Sequence, residues 1–199
     1  DSLNNIYVTG YTNGGLDGNI NSGSSDIFLA KYYDNGTKQW TKQLGTSLGE
    51  VGYGVAVDSS DNIYITGSTY GDLDNNTNSG SGDLFLIKYN SSGVKQWTQQ
   101  LGSSGWDSGR GVTVDSSNNI YVTGIVGDGL DGNSYFGDGD IILVKYYDNG
   151  TKQWTHQLGT FGLDSGIGVT VDNSSNIYIT GTTRGGLDGN TNDGWQDIF

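Results

Sequence analysis

Three residue types are missing from the 199-residue chain: cysteine, proline and methionine. Without cysteine no disulfide can staple the fold, which still leaves an extracellular site open. Without methionine the initiator is absent, so the expectation is a processed chain or a segment of a longer one. Positive charge is scarce: 9 Lys and Arg stand against 22 Asp and Glu, for a net charge of −13. That argues against binding nucleic acid or an anionic membrane, since both need basic surface. It suits solubility, cation binding or a basic partner. No apolar run approaches the roughly 18–20 residues that span a bilayer, and no signal peptide is visible.

Histidine occurs once, at His156. No Ser/His/Asp, metal-histidine or phosphate-loop pattern is present. Catalysis uses one constellation, whereas the paired carboxylates of this chain recur in every copy of a repeat. The expectation is a protein that is not an enzyme.

What the chain does have is repetition. NIYVTG at Asn5–Gly10 returns as NIYITG at Asn62–Gly67, NIYVTG at Asn119–Gly124 and NIYITG at Asn176–Gly181, 57 residues apart each time. A fixed period of this size marks stacked supersecondary units that cannot bury a core alone. By phase the units run 1–51, 52–108, 109–165 and 166–199, within one repeat domain.

One unit reads as four short strands. GYGVAVD (Gly52–Asp58) alternates, with Val55 and Val57 on one face. NIYITGS (Asn62–Ser68) follows a polar turn. DLFLIKY (Asp83–Tyr89) is almost continuously apolar, which predicts burial on both faces. VKQWTQQL (Val94–Leu101) is more polar and carries Trp97. The Asp34-Asn35-Gly36 and Asp148-Asn149-Gly150 turns are hairpin signals. Four antiparallel strands per repeat predict an all-β fold of propeller blades. The Gly-flanked GVAVD strand belongs innermost and the Trp strand outermost. Trp40, Trp97 and Trp154 recur in step and are expected to pack between neighbouring blades.

GVAVDSSDNIYITGST, DLFLIKYNSSGVKQW and the following QLG resemble the bacterial and archaeal SBBP-type β-propeller repeat. The resemblance covers essentially the whole chain. It implies a propeller, and a part in large secreted or surface-attached proteins. It brings no catalytic residues.

Strand counts by unit are three, four, four and three, so the end blades are expected to be incomplete. Raw edges invite pairing with another molecule, and head-to-tail donation builds filaments unless it closes. Self-association is therefore one expected partnership; a glycan or surface partner is another.

The long loops carry Asp-x-Asn-x-Asn followed by Asp. Hard oxygen donors on alternate residues near a glycine are how calcium loops are built. The candidate ligands are Asp17, Asn19, Asn21 and Asp26; Asp74, Asn76, Asn78 and Asp83; and Asp188, Asn190, Asn192 and Asp197. The third copy has Tyr135 at one of these positions. Glu50, Asp107 and Asp164 are expected on the same loop face, making it acidic. Loop hydrogen bonding alone would also explain these residues. The repeat-breaking residues are Trp106, Arg110, Tyr135, Phe136, His156, Arg184 and Trp195. The functional expectation is a secreted or cell-surface structural protein that assembles or adheres. The alternative is a lectin-like or cation-dependent binding module.

Overall fold

The computed structural model describes all 199 residues. Fourteen strands form four antiparallel sheets. The first holds β1 (Ile6–Thr12), β2 (Asp26–Tyr32) and β3 (Lys38–Leu44). The second holds β4 (Glu50–Val57), β5 (Ile63–Thr69), β6 (Asp83–Tyr89) and β7 (Lys95–Leu101). The third repeats it with β8 (Ser108–Val114), β9 (Ile120–Val126), β10 (Asp140–Tyr146) and β11 (Lys152–Leu158). The fourth holds β12 (Ser165–Val171), β13 (Ile177–Thr183) and the short β14 (Asp197–Ile198). Within each sheet, consecutive strands are neighbours, the simplest antiparallel meander.

The strands β4, β8 and β12 lie innermost and pack against one another from blade to blade. Each carries a register shift, at Gly52/Gly54, Gly109/Gly111 and Gly166/Gly168. The bulged residues are Tyr53, Arg110 and Ile167. A bulge bends and twists a strand, and here it recurs at one phase of the repeat. Arg110, which breaks the sequence repeat, thus holds a position that is structural in every blade.

The core lies between the blades. Because side chains alternate along a strand, each sheet has two different faces. One face of the second blade presents Ile63, Ile65, Phe85, Ile87 and Tyr89, all buried against Ile27 and Leu29 of the first. Its other face presents Tyr64, Leu84 and Leu86 to Ile120, Val122, Ile142, Val144 and Tyr146 of the third. The residues of the second junction are the repeat equivalents of those in the first.

Each tryptophan sits beside the tyrosine of its own blade, Tyr7–Trp40, Tyr64–Trp97 and Tyr121–Trp154, with ring centroids 6.2–6.3 Å apart. Trp40 lies beneath the Gly93 turn of the next blade, where a β carbon would come within 3.0 Å of the indole. Trp97 likewise donates its indole N–H to the Asp148 carbonyl of the next blade, at 3.2 Å. A glycine at φ +74° makes the Gly93 turn and leaves room for the ring.

Candidate functional site

The polar residues of each repeat gather into three local constructions. The first is a hub at the turn after the innermost strand. Asp58 Oδ1 accepts from the amides of Ser60 and Asn62, and Oδ2 accepts from the Asn62 side chain and the Tyr64 hydroxyl. Asp115, Asn119 and Tyr121 repeat it, as do Asp172, Asn176 and Tyr178. Asp1, Asn5 and Tyr7 make the equivalent set. Burial works to raise Asp115, but the donors from Asn119, Tyr121 and Ser117 outweigh it and hold the acid below the usual carboxylate range. Tyr64 also donates to Asp148 of the next blade at 2.8 Å, and Lys88 pairs with the same carboxylate. Burial, and then these two acids, push the Tyr64 hydroxyl far above its ordinary value. The Asp58 hub was not singled out in the sequence; the D-x-x-x-N-x-Y spacing, constant through all four copies, is the signal for it.

The second construction clamps the long loop. Asp17, Asp74, Asp131 and Asp188 all adopt left-handed backbone, with φ between 52° and 54°. Aspartate tolerates this better than most residues. Asp17 pairs with Lys38 and accepts from Thr41. Asp74 does the same with Lys95 and Thr98, and Asp131 with Lys152 and Thr155. The loop is thereby tied to the outermost strand. Asn19 and Asn76 donate to the carbonyls of Leu16 and Leu73. Asn190 donates to Leu187 in the same way.

The third construction lies at the far end of the loop. Asp26 accepts from the Ser22 amide and the Gln43 side chain. Asp83 accepts from Ser79 and Gln100, and Asp140 from Phe136 and Gln157. Asp197 accepts from the Asp193 amide. Asn21 donates to Gly23, Asn78 to Tyr70 and Asn192 to Thr183. The members of each expected ligand set therefore divide. Asp17 and Asp74 meet a lysine ammonium, whereas Asp26 and Asp83 meet a loop amide and a glutamine. No group of three or more His, Cys, Asp or Glu side chains converges as a metal cluster would.

The loop face departs from expectation in one respect. Glu50, Asp107 and Asp164 are fully buried instead of standing in solvent. Glu50 accepts from the Thr46 amide and hydroxyl and from Thr69. Asp107 accepts from Ser103 and from the Gly127 amide of the following loop. These acids fold the link between blades back on itself, and β4 accordingly begins at Glu50, two residues before the expected Gly52.

Repeat-breaking residues meet at one place on this face. Phe136 and Phe161 stack edge to face at 6.4 Å and, with Arg184, line a hollow of about 400 Å³. Arg184 lies over the Trp195 ring at 4.8 Å. Phe161 and Trp195 are 88% and 78% exposed, which buried structural aromatics would not be. Phe161 was not singled out in the sequence, although serine stands at its position in the first two repeats. His156 lies apart, exposed on β11 against Trp154.

The SBBP β-propeller repeat model matches at residues 39–74, 96–124 and 153–188. The chain belongs to the SBBP β-propeller repeat family. It is 26% identical over 196 residues to an uncharacterized WD repeat-containing protein of Acanthamoeba polyphaga mimivirus, covering 80% of this chain and 14% of that protein. It is 27% identical over 186 residues to the regulatory protein FlaEY of Caulobacter vibrioides, covering 86% of this chain and 19% of that protein. The chain thus spans less than a fifth of either relative. A crystal structure of a protein of unknown function from Bacteroides caccae aligns with TM-score 0.46 at 8% identity, over 78% of this chain and 48% of that one. No helix is long and apolar enough to cross a membrane.

Proposed function

We propose that this repeat array is a non-catalytic structural protein of the secreted or cell-surface kind, and that it associates head to tail with a second copy. The observation that carries this reading is a junction that repeats with equivalent residues between the first and second blades and between the second and third. The outward face of the first sheet shows Ile6 and Val8, 49% and 42% exposed. Their repeat equivalents Ile63 and Ile65 are fully buried against the preceding blade. The outward face of the fourth sheet shows Tyr178, 54% exposed, whose equivalent Tyr64 is fully buried against the following blade. The two faces are therefore the two halves of a junction the molecule already makes internally. A heterologous contact of this kind repeats from copy to copy. The surface location rests on the kind of protein in which such repeats occur, and a net charge of −13 agrees with it.

Electron microscopy and light scattering of the purified chain test the assembly. Filaments or chains of beads are expected, with Ile6→Asp and Val8→Asp together returning the protein to monomers. Monomeric particles at all concentrations would overturn it.

One observation favours a second reading, a lectin-like module. Phe136, Phe161 and Trp195 offer exposed rings of the sort on which the apolar face of a sugar packs, and Arg184 beside them supplies hydrogen-bond donors. Glycan-array binding that Trp195→Ala abolishes would support it.

A further inference from the structure

Three carboxylate pairs are buried along the blade links. Asp26 faces Glu50, Asp83 faces Asp107, and Asp140 faces Asp164; all six residues have no exposed surface. The first two pairs bracket the glycine of a QLG sequence, and Asp140 of the third lies against the equivalent glycine. A β carbon on Gly45 would stand 2.2 Å from Asp26 Oδ1 and 2.8 Å from Glu50 Oε2. On Gly102 it would stand 2.0 Å from Asp83 Oδ1 and 3.0 Å from Asp107 Oδ2. On Gly159 it would stand 1.9 Å from Asp140 Oδ1. No β carbon fits beside these acids, so each position takes glycine.

The pairs are short of positive charge. Every lysine engaged in an ion pair goes elsewhere: Lys31 to Asp1, Lys38 to Asp17, Lys88 to Asp148, Lys95 to Asp74 and Lys152 to Asp131. The protein groups that reach the six acids are donors: amides, hydroxyls and glutamine NH₂ groups. They suit ionised carboxylates. Yet Asp26 Oδ1, Asp140 Oδ1 and Asp164 Oδ1 are buried and accept nothing. Buried polar atoms of native proteins are nearly always satisfied, and two buried anions side by side are costly unless paired. Burial, and then the facing acid, push Asp107 and Asp140 above the ordinary carboxylate range.

Every carboxylate oxygen of Asp83 and Asp107, by contrast, accepts a hydrogen bond. We infer that the other two pairs, Asp26 with Glu50 and Asp140 with Asp164, are each a binding site for a hard divalent cation of the calcium class, held between the two carboxylates. Carboxylate oxygens are the ligands such cations take, with carbonyl or water oxygens completing the shell. The site differs from an Asp-x-Asn-x-Asn loop site. Of those loop residues only the last acid of the first copy, Asp26, takes part, and its partner comes from the link to the next blade. The cation would fasten the loop of one blade to the start of the next, at the first and third junctions.

The test is calcium titration of the chelator-stripped chain by calorimetry, with thermal melts alongside. Two sites per chain are expected, with a melting temperature that rises on adding calcium and falls on adding chelator. Asp164→Asn should leave one site. Asp107→Asn, in the pair whose oxygens are all satisfied, should leave two. Asp74→Asn, in the loop clamp, should also leave two. Absence of calcium binding by the stripped wild-type chain at neutral pH would overturn the inference. So would an infrared carbonyl band of protonated carboxyl that persists at neutral pH with saturating calcium, because the pairs would then share a proton instead. Loss of a site in Asp74→Asn but not in Asp164→Asn would overturn it as well. The wild-type titration decides the matter even if a variant does not fold.

Discussion

β1 and β9 share the sequence IYVTG, yet they live in different surroundings. In β9 all seven residues are buried; in β1 none is. The same holds for β5 and β13, which share IYITG: β5 is wholly buried, and Tyr178 and Thr180 of β13 are exposed. Identical strands with different burial show that the core belongs to the stacking and not to the single blade. A repeat protein of this sort is stabilised by nearest-neighbour interfaces, with weaker units at its ends. At the junction between the third and fourth blades, Ile141, Leu143, Ile179 and Phe199 line one groove of about 610 Å³.

The largest effect should come from breaking an internal junction. Ile65→Ala removes a fully buried side chain from the cluster between the first two blades. Urea unfolding should show a loss of about 2–5 kcal/mol, the usual range for such a truncation. Val8→Ala, the same phase at the outward face, should cost less than about 1 kcal/mol in dilute monomer, since 42% of that residue is already in water. Equal losses would mean that the outward face is covered in solution, and would sharpen the assembly reading.

These contrasts explain how much was legible in the sequence. The strands were, because period-two alternation and a 57-residue repeat both reported on them; DLFLIKY was bounded as Asp83–Tyr89 and is β6 with those bounds. The inter-blade positions of Trp40 and Trp97 were legible because these residues recur in step. The acids were not. Glu50, Asp107 and Asp164 sit in polar links, where charged side chains ordinarily face solvent. Their burial depends on a chain reversal that brings Thr46 or Ser103 back over them, and no local pattern reports it. Asp17 could be read two ways for a related reason. Its partner Lys38 lies 21 positions away on the outermost strand, and an Asp-x-Asn spacing reads alike whether the aspartate meets a lysine or a metal.

Tyr64 offers the next comparison. Tyr64→Phe removes a buried hydroxyl that donates to Asp58 and to Asp148 of the next blade, leaving carboxylate oxygens short of a donor. The expected cost is about 1–3 kcal/mol by denaturant unfolding. Tyr178→Phe removes the corresponding hydroxyl at the exposed face, and its unfolding midpoint should not move. If both variants lose the same stability, the inter-blade bond to Asp148 contributes nothing and the hub alone matters.

Acid titration separates the two kinds of carboxylate. Asp83, Asp107 and Asp140 are raised above 3.8, chiefly by burial. Such a group binds its proton more tightly folded than unfolded, so its contribution is present at low pH and lost as pH rises through the folded value. Asp115, Asp131 and Asp148 are lowered; burial opposes this, and hydrogen bonds from Asn119, Lys152 and Lys88 respectively outweigh it. Their contribution is present above 3.8 and is lost as pH falls through the folded values. Chelator-treated protein should therefore melt higher in mild acid than at neutral pH, and lower again below 3.8. Calcium should reduce the rise on mild acidification, through Asp140, and leave the loss in strong acid. A melting temperature that falls steadily from neutral pH, with or without calcium, would mean that the buried pairs carry no uncompensated charge.

The smallest expected effect compares two copies of the loop clamp. Asp74→Asn keeps a residue that tolerates φ near 52° but loses the ion pair with Lys95. Both partners are partly exposed, with side-chain accessibilities of 33% and 25%, and pairs of that kind contribute roughly 0.2–1 kcal/mol. Salt should shrink the loss further, because screening acts on exposed charge. Asp188 adopts the same backbone, but no ion pair or side-chain hydrogen bond holds its carboxylate. Asp188→Asn should therefore change nothing measurable in the same unfolding experiment. A larger loss at Asp188 than at Asp74 would show that the loop aspartates serve a ligand and not the clamp. The Asp-x-Asn-x-Asn loop would then return as a metal site in its own right, separate from the buried carboxylate pairs.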